Sequence, residues 1–243
     1  MILDIYKDAL EYSAKDWKTL VILGVLSVFS FLLLPAFLIT GYNYRVINQA
    51  VHGIINGRDP LPGFDDLIYM FVDGIKVVIV QVAYVIVPVV IFIIFAVIAG
   101  NVGGGLSAAI MIIGCLITLI VAVVAFLMEQ MGLCHMAYHD GAFSKAFDIK
   151  ELKEVISEIG WFECILTYVG LIIITLVIAI VVTAIIGLIF TVFGLSGFAL
   201  GVDAGGVFAL GIILNWLVTI FLVGPYLSIF NSRSIGLLYT MQI

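Results

Sequence analysis

The sequence predicts an all-α integral membrane protein with four transmembrane helices plus an N-terminal re-entrant or fifth membrane helix, and short amphipathic interfacial helices. Three observations carry this reading. Of the 243 residues, 64% are hydrophobic and only 11% charged, more apolar surface than a soluble domain of that length hides. The charges avoid long stretches: none falls between Lys18 and Arg45, from Val77 to Met128, from Cys164 to Val202, or from Ala204 to Ser232. These stretches lack the period-two alternation of barrel strands, so helices, which satisfy their own backbone groups in lipid, are the spanning form.

A hydrocarbon core about 30 Å thick takes about 20 helical residues to cross. Crossings are placed at Val77 to Ala99, Leu106 to Met128, Ile165 to Phe193 and Val207 to Phe230, within a single membrane domain, residues 1–243. The block Thr19 to Tyr44 either spans or re-enters, bending near Ser27 to Pro35. Ahead of it, Asp4, Lys7, Asp8, Glu11, Lys15 and Asp16 mix both signs. That is unlike the basic start of a cleavable signal, so the N-terminus is expected to be retained.

Charge placement gives a topology. The ten Lys and Arg residues lie before Thr19, between Arg45 and Lys76, between Lys145 and Lys153, and at Arg233, and the turns Gly100 to Gly105 and Gly194 to Gly206 hold none. Basic residues are retained inside, so the two turns are expected to face outward, with the long polar connections and the C-terminus cytoplasmic. A re-entrant first block puts all ten on one side. A full crossing leaves the three N-terminal lysines outside, so the hairpin is favoured.

Three amphipathic segments, Leu3 to Trp17, Phe64 to Lys76 and Phe147 to Trp161, each precede an apolar block. In the second, Phe64, Leu67, Ile68, Phe71, Val72 and Ile75 share a face against Asp65, Asp66, Asp73 and Lys76. In the third, Leu152, Val155, Ile156 and Ile159 oppose Glu151, Glu154 and Glu158. The blocks end alike, at Gly41-Tyr42, Gly132-Leu133 and Gly224-Pro225. An internal repeat is expected, with approximate units 1–58, 64–142 and 147–236 running parallel.

No catalytic, cofactor-binding or metal-ligand set is assigned, and no cofactor is expected. Cys134, His135, His139 and Asp140 are the only cluster with metal-ligand chemistry. His135 and His139 share a helical face, but Cys134 points about 100° away, so the set does not converge locally. Glu129 and Glu163 read as interfacial carboxylates, and Arg45 and Arg233 as basic ends of apolar blocks that reach the headgroups. Asp65 reads as a helix cap, and Asp148 with Glu151 three residues on as a capping box. Gln81, Pro88, Thr118, Thr183 and Asn215 are the isolated polar or distorting positions inside the crossings. Gly197, Gly201 and Gly205 have small-xxx-small spacing in what reads as an outward turn. Cys115, Cys134 and Cys164 imply no disulfide framework. A net charge of −6 gives no reason to expect nucleic acid as a partner.

Gly41-Tyr42-Asn43-Tyr44-Arg45-Val46, Gly57-Arg58-Asp59-Pro60-Leu61-Pro62-Gly63-Phe64-Asp65-Asp66 and Phe71-Val72-Asp73-Gly74-Ile75-Lys76 together resemble the family filed as domain of unknown function 4013. The likeness runs from residue 1 to about 240, with its specific part from Gly41 to Lys76. It implies a multi-pass cell-membrane protein of a kind widespread in archaea, and brings no activity or catalytic residue with it. A more distant likeness is to the membrane domains attached to some glycerophosphodiester phosphodiesterases, where such domains accompany the catalytic module. The expectation is a non-enzymatic scaffold or subunit contacting lipid, partner membrane proteins or its own copies. The alternative is a small transporter or lipid-translocating protein with a path near Gln81, Glu129 and Asn215.

Overall fold

The computed structural model describes residues 2–199 and 204–242, and among these there is no β-strand. Gly201 lies outside the described residues, while Gly194 and Gly197 continue a helix rather than forming a turn.

The chain begins with α1, Ile2–Ser13, whose buried face carries Ile5, Tyr6, Ala9 and Tyr12. In α2, Trp17–Val28, the Asp16 carboxylate caps the start by accepting from the Lys18 N–H and the Thr19 hydroxyl. The helix ends at Phe29, and α3 runs from Leu33–Val51, with Pro35 in the first turn, where its missing N–H costs nothing. The break at Phe29 to Leu32 falls inside the stretch where the sequence predicts a bend. α2 has 12 residues and reaches roughly 18 Å, too short to cross. Leu20, Leu23, Leu38 and Tyr42 share one apolar cluster, so α2 and α3 fold back on each other as a helical hairpin.

The four crossings are present and longer than composition alone requires. α4 is Leu67–Gly100 and α5 is Gly105–Tyr138, each of 34 residues and about 50 Å long. They are joined by a turn whose Gly104 has φ 69°, a left-handed conformation suited to glycine. α6, Ile149–Ile159, ends at Gly160 with φ 105°. α7 is Trp161–Ala199, α8 is Ala204–Val218, and α9 is Gly224–Tyr239. A wide π-type turn, Thr219–Val223, joins α8 to α9, with the Gly224 N–H reaching the Thr219 carbonyl. Pro225 follows at once and has no N–H with which to continue the regular ladder.

The expected crossings occupy one end of these helices and a protein core the other. Between Val85 and Phe126, and again along α7 and α8, many large apolar side chains are more than 40% exposed, among them Ile120 at 65% and Ile212 at 72%. At the opposite end, every residue from Met131 to Ala137 and from Ser232 to Tyr239 is buried. A helix end buried all round marks a core element. The ends of α5 and α9 are therefore the centre of a compact base. Around it sit α1, α3, α6 and a 3-10 turn, Phe143–Phe147.

The amphipathic segments attach to this base. Leu152, Val155, Ile156 and Ile159 are the buried residues of α6, the four positions its periodicity selects. The segment before α4 differs from expectation. Its residues from Leu67 onward are the first turns of α4 itself, and Leu67, Ile68 and Val72 remain exposed. α3 and α4 cross closely through two glycines: a Cβ on Gly41 would strike the Met70 carbonyl oxygen, and one on Gly74 the Phe37 carbonyl oxygen.

One charge ties the base together. Arg233, expected at the headgroups, is 0% exposed. Its Nε donates to Asp8 at 3.0 Å and its Nη2 to Asp59 at 3.1 Å, while the guanidinium lies 4.5 Å from the centre of the Tyr12 ring. Asp8 also accepts from the Asn56 N–H at 2.6 Å, and the Tyr12 hydroxyl donates to Gln49 at 2.7 Å. Arg233 thus joins α9 to α1 and to the connection after α3. A guanidinium at this depth is tolerable only when paired. Removing one partner of such a buried pair costs about 3–5 kcal/mol. Arg233→Ala should lower the unfolding free energy in mixed micelles by that amount. A loss below about 1 kcal/mol, the worth of an exposed pair, would contradict this role.

Candidate functional site

The polar side chains of the base collect in two places. At the corner between α5 and α6, the His135 ring is fixed on both sides. Its Nδ1 lies 2.6 Å from the Tyr239 hydroxyl at the end of α9, and its Nε2 lies 2.7 Å from Glu151 Oε2 in the first turn of α6. His139, one turn on, caps α5 with its Nδ1 3.0 Å from the His135 carbonyl oxygen. The Lys145 ammonium, from the 3-10 turn, also donates to Glu151 Oε2 and lies 3.6 Å from Asp148.

The sequence cluster is only half preserved here. The two histidines come together, with ring centres 4.3 Å apart. Cys134, fully buried, instead sets its sulfur 3.7 Å from the Ile235 carbonyl, and Asp140 is exposed in a left-handed turn with φ 53°. Glu151, Lys145 and Tyr239 are the members that sequence reasoning missed. Asp148 caps α6 as expected, accepting from the Glu151 N–H. The Glu151 side chain completes no capping box, because it turns to Lys145 and His135.

The second place is a polar seam where α3, α4, α5, α7 and α9 meet. A cavity of about 250 Å³ is lined by Asn43, Tyr44, Gln81, Gln130, Asn231 and Ser232 among others. Another of about 360 Å³ is lined by Phe126, Tyr168, Leu171 and Thr175, and it shares Gln130, Asn231 and Ile235 with the first. Asn43 Oδ1 and the hydroxyls of Tyr44, Tyr168 and Thr175 are buried with no hydrogen-bond partner among the described residues. Each such group costs about 1–3 kcal/mol if it stays unmatched.

Glu129, expected at the interface, is 7% exposed and takes a hydrogen bond from Gln130 Nε2 at 3.1 Å. No cation pairs with it among the described residues. The overlong α5 carries it below the crossing and into the base. Glu163 is half-buried in the first turn of α7. Arg45 does not reach for headgroups, since its guanidinium donates to the carbonyl oxygens of Gly63, Asp65 and Asp66 and pins the chain before α4. Asp66, not Asp65, occupies the cap position of α4, and it makes no side-chain cap bond. Gln81 lines the first cavity of the seam, whereas Asn215 lies elsewhere. Asn215 lies with Thr183 and Thr191 in a groove of about 270 Å³ between α7 and α8.

Four long apolar helices rooted in a polar, buried base define a multi-pass membrane protein. The chain belongs to the family described as a protein of unknown function, DUF4013, which matches residues 28–191, well over half of its length. The match takes in α3 to α6, most of α7 and the pinned connection after Arg45, and it stops short of α8 and α9. No curated protein and no solved structure matches the chain.

The Lys145 ammonium and then His135 hold the Glu151 carboxyl down, from 4.5 to about 2. A depressed carboxyl stabilises the fold fully above its unfolded value, and that contribution is lost as pH falls through the folded one. Protection of the α6 amides, taken relative to their intrinsic exchange at each pH, should therefore fall between pH 4.5 and about 2, and Glu151→Gln should flatten that dependence. An unchanged profile in the variant would sever Glu151 from this role.

Proposed function

We propose that the protein is a non-enzymatic membrane scaffold or subunit, whose apolar hairpins contact lipid or partner chains while its base anchors them from one side. The observation that carries this reading is the division of labour along the helices. The α4–α5 and α7–α8 hairpins present long apolar faces, whereas the ionic side chains of the base are largely committed to bonds within the chain. Arg233, His135 and Glu151 hold helices together, which leaves little chemistry for turnover. All basic residues belong to the base end and none to the Asn101–Gly104 turn, so the base and both termini are assigned to the cytoplasmic side of the cell membrane. On this view the α2–α3 hairpin, α4–α5 and α7–α9 are three parallel repeats, the first shortened.

A transporter or lipid-translocating role is the second reading. Its support is now the seam around Gln130 and Asn231, rather than the set Gln81, Glu129 and Asn215. The two readings separate by photo-crosslinking in native membranes from residues 119 and 213, on the outer faces of the two hairpins. A scaffold or subunit should give a discrete protein adduct, either with itself or with one partner. Lipid adducts alone, together with a monomer in native mass spectrometry, would overturn the scaffold reading.

A further inference from the structure

We propose that His135, His139 and Glu151 form a half-buried binding site for a divalent cation of the zinc type, at the corner where α5 ends and α6 begins. One ligand atom from each lies within 4.8 Å of the others. Around a tetrahedral zinc, with bonds of about 2.0–2.2 Å, ligand atoms stand roughly 3.3 Å apart. The widest gap would close by at most about 1.5 Å, within the reach of side-chain torsions on the two partly exposed members.

His139 is already set for this, and His135 needs only a shift of its ring proton. A carbonyl oxygen can only accept, so the contact between His139 Nδ1 and the His135 carbonyl places the proton on Nδ1 and leaves Nε2 with a free lone pair. His135 in the metal-free chain donates its Nε2–H to the Glu151 carboxylate and faces the Tyr239 hydroxyl through Nδ1; a metal at Nε2 requires that ring proton to move to Nδ1, where the Tyr239 oxygen can accept it. Metal-binding histidines characteristically have such a partner behind the ring, which fixes orientation and tautomer. His139 and Glu151 are partly exposed, so an ion has a way in and a fourth position can take water. Two nitrogens and one carboxylate suit zinc and its neighbours, not calcium or magnesium, which favour all-oxygen shells.

Lys145 is the competitor, since its ammonium shares Glu151 Oε2 with His135. Oε1 carries no hydrogen bond among the described residues, and Asp148 lies 3.6 Å from the Lys145 nitrogen. The ammonium therefore keeps an anionic partner when a metal takes the carboxylate.

The test uses the full-length, tag-free chain in detergent, titrated with Co²⁺ under visible absorption and then with Zn²⁺ as competitor. Saturable ligand-field bands at one ion per chain, displaced by Zn²⁺, are expected. His139→Ala should abolish them while the metal-free chain stays folded with only a small drop in unfolding temperature, because the side chain's hydrogen bond is the cap within its own helix turn and its other contacts are the His135 and Tyr138 rings. Tyr239→Phe, which removes the group behind His135, should weaken binding by about 10-fold. No saturable binding, several equivalent ions per chain, or binding unchanged in His139→Ala would each overturn the proposal.

Discussion

A guanidinium with no access to water is costly anywhere in a protein, and Arg233 sits 0% exposed on a helix that continues out of an apolar run. Its two carboxylate partners come from α1 and from the connection between α3 and α4. The base therefore cannot form until three distant parts of the chain meet, and once they have met none can leave without stranding a buried charge. Tyr12 adds its ring face to the same group, and the Tyr12 hydroxyl ties in Gln49. The position of α1, the path of the polar connection and the burial of α9 all follow from that one pairing.

The outer ends of the helices obey a different rule. Lipid offers no driving force for apolar surfaces to pack on one another, so the hairpins can stand with Ile120, Ile212 and their neighbours uncovered. The contrast explains the helix lengths. About 20 residues suffice to cross, and the remaining turns of α4, α5 and α9 serve the base. It also explains why polar residues cluster where they do. Gln130, Asn231 and Tyr168 lie where the hairpins converge on the base, the depth at which protein rather than lipid surrounds the side chains.

Crossings are written in single-residue chemistry, and the four apolar runs, the bend between Ser27 and Pro35, and the buried face of α6 are all legible from composition and period. Pairings across long sequence separations are not. Arg233 reads as a headgroup contact because Asp8 and Asp59 are 225 and 174 residues away, and a terminal arginine looks the same with or without them. His135 and His139 announce themselves by spacing. Glu151 was hidden by its resemblance to a capping-box residue, and Tyr239, 104 residues from His135, gave no local signal. Glu129 reads as an interfacial carboxylate because the run before it gives the length of the apolar segment and not what packs around the helix end. The connection before α4 was readable as a motif, whereas its mechanism, the Arg45 side chain bonding three backbone carbonyls, needed coordinates.

The central claim is that the base lies on one side of the membrane and that the α2–α3 hairpin dips in without emerging opposite. Labelling of single cysteines with a membrane-impermeant thiol reagent tests it directly, in a chain whose own three cysteines are replaced. Reporters at residues 2, 31, 102 and 144 would be compared in intact cells and in inverted vesicles. The account predicts labelling at 102 from outside only, at 2 and 144 from inside only, and at 31 from neither. Labelling of residue 2 from outside would contradict it, since α1 could then no longer share a base with Arg233 and α6.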